Sequence, residues 1–168
     1  YCSENVDGCK FSNQYTTFND PNSETDIYTL EIFNKYYEHV KNIELHLEKA
    51  IKYKTYAQTW VYVLMHLMNA WRSGDIIYGL PTIDFIGLPI EDLTFFSSNK
   101  LSKEEARLIV NQVHIKVGQM KASKTGALGQ FLCLDSLVEP FATAISITEL
   151  HRRKQNDKLM LNSIRSNG

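Results

Sequence analysis

Five histidines and three cysteines are the residues of this chain that could ligate a metal or move a proton, so their spacing decides which chemistry is open. His39 and His46 stand seven residues apart, with Glu38, Glu44 and Glu48 nearby. On one continuous helix that spacing is two turns, about 10 Å along the axis. A single ion is not held across such a gap without a third element, and the His-x-x-x-His spacing that would hold one is absent. The pair therefore reads as part of a solvated, charged helix face. His66 lies inside the run WVYVLMHLMNAW, Trp60 to Trp71, and is expected to be a core histidine hydrogen-bonded to a polar neighbour. Cys133, in FLCLDSL, also reads as core, where burial raises a thiol's pKa and removes the nucleophile. No GxSxG elbow, phosphate loop, zinc signature or cofactor fingerprint occurs, so no catalytic residue, metal or cofactor is predicted.

Two further patterns could bind anions. Gly126-Ala-Leu-Gly129, with Lys121 and Lys124 before it, has neither the preceding strand nor the GK[ST] ending of a phosphate loop, and reads as small residues that let two helices approach closely. Arg152, Arg153 and Lys154 are a candidate basic patch for a partner's acids; the cheaper account is a solvated helix end whose cations favour the C-terminal dipole.

Cys2 and Cys9 lie in a polar leader, residues 1 to 22, where two unpaired thiols would be poorly placed in a reducing cytosol. That favours an oxidising compartment, as does a start at Tyr1 without methionine, which is expected of a secreted protein after its signal peptide is removed. The disulfide candidates are Cys2, Cys9 and Cys133, paired as Cys2 with Cys9 or as the leader with Cys133. One thiol is left over in either case, buried and inert or open to an intermolecular bond and hence to a dimer. No Asn-x-Ser/Thr acceptor occurs.

The elements that must carry these residues read as helices. A chain of 168 residues, 43% hydrophobic and 22% charged, is sized for a single domain with one core. Its net charge of −1 offers no general attraction to nucleic acid or to anionic membranes, and no nucleic-acid partner is predicted. Past Pro21 and the capping candidates Asn22, Ser23, Thr25 and Asp26, a seam of Phe33, Val40 and Leu47 interleaved with Tyr36, Ile43 and Ala50 predicts a long helix. A turn or kink is expected at 52 to 55. The Trp60 to Trp71 run then reads as a second helix, ended by Gly74, that forms the buried centre of the fold. At twelve residues it falls well short of the roughly 20 that a bilayer helix needs, so no transmembrane segment is predicted.

Residues 75 to 101, with Gly79, Pro81, Gly87 and Pro89 among apolar side chains, predict a long packed crossover with a short helix after Pro89. Ser102-Lys-Glu-Glu105 is a capping box before the series Ile109, Val113, Val117 and Met120. A short helix is expected over 127 to 138, a last one opening at Pro140, and a basic tail over 152 to 168 that frays. The fold class is thus all-α, a single-domain bundle of four to six helices.

Tyr36-Tyr37, WVYVL at 60 to 64, Arg72, GLP at 79 to 81 and FFSS at 95 to 98 faintly resemble the helical amino-terminal domain of haemocyanins and hexamerins. The likeness covers under half the chain, includes no copper-ligand histidine pair and stops before residue 101, so it assigns no family.

Function is left to ranked expectations. The first is a secreted, non-catalytic binding protein that contacts a protein partner or receptor, as helical cytokines do, because nine tyrosines crowd a bundle of this size and tyrosine serves interfaces well. The alternative is a carrier holding a small apolar ligand or lipid in a cavity lined by Trp60, Met65, His66, Met68, Trp71, Phe85 and Phe96. An enzyme of unrecognised type is third.

Overall fold

A computed structural model of the chain describes residues 29–69, 71–120 and 129–164. The expectations placed on Cys2, Cys9 and the rest of the leader, and on Lys121 to Gly126, lie outside the described residues. The chain divides into two compact units, residues 1–35 and 36–168. Of the first, 29–35 are described; from Leu30 they form the opening turns of helix α1, where Leu30, Ile32 and Phe33 are exposed.

Every α-helix among the described residues follows in chain order: α1 Leu30–Lys41, α2 Ile43–Lys52, α3 Lys54–Met68, α4 Ser73–Gly79, α5 Phe95–Ser98, α6 Lys103–Gly118 and α7 Val138–Gln155, the last preceded by a 3₁₀ turn, Asp135–Leu137. No strand occurs among the described residues. The long first helix expected from the seam is two helices. Asn42 leaves the helical region and caps α2 by accepting from the Leu45 N–H, and the extended backbone of Tyr53 then separates α2 from α3. The register resets at Asn42, so the seam buries Val40 and Ala50 while Phe33 and Tyr36 stay exposed.

Helix α3 starts six residues before Trp60 and ends at Met68, with Asn69 extended at its C-cap. Gly74 does not end it; that glycine lies inside α4. Nor is α3 the buried centre. It buries one stripe, Ala57, Trp60, Val61, Leu64 and Met65 with the polar Gln58, and turns His66 to solvent. The centre is α7, which buries Val138 and every residue from Pro140 to His151 and packs against α2, α3 and α6. A helix covered on all sides must satisfy its polar groups internally. Thr148 bonds back to the Ala144 carbonyl, His151 donates to the Ala50 carbonyl at 2.9 Å, and Glu149 is paired as described below.

Helix α6 begins as the sequence predicts, with the Ser102 hydroxyl accepting from the Glu105 N–H and the Glu105 carboxylate accepting from the Ser102 N–H. Pro140 does not open α7 but sits in its first turn, where a missing N–H costs nothing. Over 129–134 the expected helix is absent, because other elements take the backbone groups a helix would use. Asn69 bonds both the N–H and the carbonyl of Leu132, Trp71 donates to the Gln130 carbonyl, and His114 to that of Phe131. Gly129 brings this segment against the end of α6: a Cβ there would lie 2.6 Å from the Val117 carbonyl oxygen. The tail expected to fray is instead docked as far as it is described. Met160 and Leu161 are buried, and the Gln58 carboxamide bonds Asn162 and the Ser163 N–H.

Candidate functional site

The residues proposed to line a cavity separate into three groups. Trp60, Met65, Phe85 and Phe96 are buried in the common core cluster, Met68 and Trp71 pack at its edge, and His66 lies outside it with its ring edge-on to Tyr62. The expectation that His66 is a core histidine fails because the buried stripe of α3 passes on its other side. Trp60 spends its indole N–H on the Val40 carbonyl, which ties α3 to the end of α1.

The basic patch is largely committed to structure. Glu149, wholly buried, accepts from Arg152 through both carboxylate oxygens at 2.7 and 2.8 Å and from Arg153 at 2.7 Å. Arg152 also donates to the Asp157 carbonyl, and Arg153 donates to the Ile83 carbonyl while its guanidinium lies 4.6 Å from the centre of the Phe85 ring. Arg153 and Lys154 are exposed, and of the three Lys154 has no bond to Glu149. Residues 82–84 receive two more clamps, Lys116 on the Thr82 carbonyl and Gln112 on both backbone groups of Asp84.

The solvated face expected of the histidine pair holds for His39, exposed with Glu38, Glu44 and Glu48, but not for His46. Because the helix breaks at Asn42, the His39 and His46 rings approach to 5.1 Å instead of standing two turns apart. His46 is buried beside Tyr56 and Trp60. Its Nε2 faces the His39 carbonyl, which can only accept, so Nε2 carries the proton and Nδ1 of the neutral ring accepts from the Tyr56 hydroxyl. Burial is the main cause that pushes its pKa below the usual histidine value, and the charges of His39 and Lys49 act the same way.

Sequence reasoning missed a cleft of about 280 Å³ between α6 and the 131–138 segment. Arg107, Val110, Asn111 and His114 line it from one face of α6, and Phe131, Cys133, Asp135 and Val138 from the other side. The α6 positions are spaced by three and four, the repeat of a single helix face. That polar stripe was the available signal. Next to the lining residues in the sequence, Leu132 and Leu134 are 68% and 54% exposed on either side of Cys133, and Leu108 and Ile115 on α6 are 54% and 60% exposed.

Four titratable side chains meet in this cleft, yet the thiol is not set up for attack. Burial, with the Asp135 charge adding to it, pushes the Cys133 thiol up to about 12, the reverse of what a nucleophile at neutral pH needs. Its S–H points to the Leu134 carbonyl, and His114 commits Nδ1–H to Phe131. Cys133 is a free, half-buried thiol rather than the full core residue expected, because 129–134 is extended and runs along the surface. Among the described residues no group of three or more His, Cys, Asp or Glu is placed to hold a metal ion, and no helix is long and apolar enough to cross a membrane. Comparison with protein-family models, with curated proteins and with solved structures finds no match to this chain.

Proposed function

We propose that this chain is a secreted, non-catalytic binding protein that contacts another protein through the cleft between α6 and residues 131–138. The observation that carries the reading is the cleft's small size together with the exposed aliphatic residues next to its lining in the sequence. At about 280 Å³ it lies at the lower edge of the roughly 300–1,000 Å³ typical of small-molecule sites, while Leu132 and Leu134 flank Cys133 and Leu108 and Ile115 adjoin Arg107 and His114 along the chain. A lipid needs an enclosed apolar volume. One side chain of a partner, with the leucines covering its surroundings, needs only this. The cysteine-bearing polar leader supports an oxidising compartment. In this reading the helices from α2 to α7 form one bundle, with residues 75–101 as its packed crossover.

The test is saturable binding of the labelled chain to a displayed library of extracellular proteins, repeated with Leu132→Asp and Leu134→Asp together. Loss of binding by more than about tenfold, with helical circular dichroism unchanged, is expected from removing the two anchors that flank Cys133. A lipid or other apolar ligand retained by the purified chain in native mass spectrometry would replace this reading with the carrier.

A further inference from the structure

The charges in the cleft restrict what it fits. Arg107 and Asp135 line the same small space with opposite charge, and among the described residues neither has an ion-pair partner. Asn111 stands one turn beyond Arg107 on the same face of α6, and His114 commits its Nδ1–H to the Phe131 carbonyl. The rest of the lining is Val110, Phe131, Cys133 and Val138, of which Phe131 and Val138 are buried, so the apolar share of the cleft is small enough for one short side chain. A ligand bearing a single charge would satisfy one of the two ionised residues and be repelled by the other. An apolar side chain flanked by one charge of each sign meets the whole lining.

Resting on the reading of this cleft as a protein-contact site, the geometry points to a partner segment in which one aliphatic residue lies between an acidic residue that meets Arg107 and a basic residue that meets Asp135. The aliphatic side chain fills the apolar lining and the flanking charges select among candidate segments. Exposed ion pairs are individually weak, so two of them together set a preference of about tenfold rather than a thousandfold.

The experiment titrates the ¹⁵N-labelled full chain with three acetylated, amidated tripeptides: Glu-Leu-Lys, Lys-Leu-Glu and Gln-Leu-Gln. One charged order is expected to shift the amide signals of residues 107–114 and 131–138 and to bind about tenfold more tightly than Gln-Leu-Gln. That advantage should vanish at high salt, where exposed charges are screened, while binding of the neutral peptide persists. In the chain carrying Arg107→Glu with Asp135→Lys, the preference should pass to the opposite order. Equal binding by all three peptides overturns the charge reading and leaves the protein-contact reading standing. Signals unmoved by any of the three overturn both. Should the doubly substituted chain fail to fold, the salt dependence of the unmodified chain still decides.

Discussion

Helices α3 and α7 invert each other. In sequence α3 is the more apolar, carrying Trp60, Val61, Val63, Leu64, Met65, Leu67 and Met68, yet it buries one stripe and leaves His66 in solvent. Helix α7 reads FATAISITELHRR from Phe141 to Arg153, with threonine, serine, glutamate and histidine interrupting its apolar positions, yet it is buried without a break from Pro140 to His151. Local hydrophobicity therefore does not locate the centre of this fold. What lets α7 sit there is small side chains, Ala142 and Ala144 among them, and a partner for nearly every polar group it carries. Centrality here is a property of satisfied polarity as much as of apolar content.

The largest break in that comparison is expected from Glu149→Gln. The amide would set donors against the arginine N–H groups that the carboxylate now accepts, and would leave two guanidinium groups facing a neutral buried site. Removing one member of a buried ion pair costs about 3–5 kcal/mol; partial exposure of both arginines places this case near about 3. Thermal unfolding should report a fall of about 10 °C for a domain of this size. A change within about 2 °C would mean that Glu149 is not what keeps α7 central.

Two histidine truncations sharpen the contrast at smaller amplitude. His151→Ala removes a buried ring and orphans the Ala50 carbonyl, so about 2 kcal/mol should be lost in urea unfolding. His66→Ala, on the helix with the more apolar sequence, should change stability by no more than about 0.5 kcal/mol, since it removes one edge-on contact with Tyr62. Comparable losses at the two sites would erase the distinction between the helices.

What the sequence made legible follows from range. The capping box at Ser102 and the apolar register of α6 depend on residues three and four apart, and both are present as read. The break at Tyr53 falls within the turn expected at 52 to 55, whereas the break at Asn42 carries neither glycine nor proline and is spanned by side chains from further along the chain, Trp60 on the Val40 carbonyl and His46 on that of His39. The cleft was illegible for the same reason. One of its walls is held by Asn69 and Trp71, which bond Leu132 and Gln130 across more than fifty residues, and the apolar letters around Cys133 read locally as another helix. Among its lining residues only the Arg107, Asn111 and His114 stripe was available without coordinates.

Acid should act on the α3 side of the comparison. The unfolded chain protonates His46 near its ordinary 6.5, whereas the folded chain, with the ring buried against Tyr56 and Trp60, takes up that proton only at lower pH. Below that ordinary value the unfolded state binds more protons, so stability falls as pH drops from neutrality towards 5, with the loss levelling off once the folded ring also protonates. In His46→Gln, the decline in melting temperature between pH 7 and pH 5 should be shallower than in the unmodified chain. Parallel declines would remove His46 as a source of acid sensitivity.

The smallest expected effect has the opposite sign. Ser146 lies on α7, wholly buried, with no hydrogen-bond partner for its Oγ among the described residues, two positions before Thr148, whose hydroxyl is satisfied by the Ala144 carbonyl. A buried hydroxyl without a partner keeps its desolvation penalty, and alanine forms helix better than serine, so Ser146→Ala should stabilise the chain by about 0.5–1 kcal/mol. Thr148→Val, which removes a satisfied hydroxyl at nearly constant volume, should be destabilising by about 1 kcal/mol instead. Unfolding of the two variants side by side decides whether α7 tolerates its polar residues one by one, each on the strength of its own partner. If Ser146→Ala instead lowered the melting temperature as far as Thr148→Val, the rule drawn from α7 would fail at the residue where it is most exposed to test.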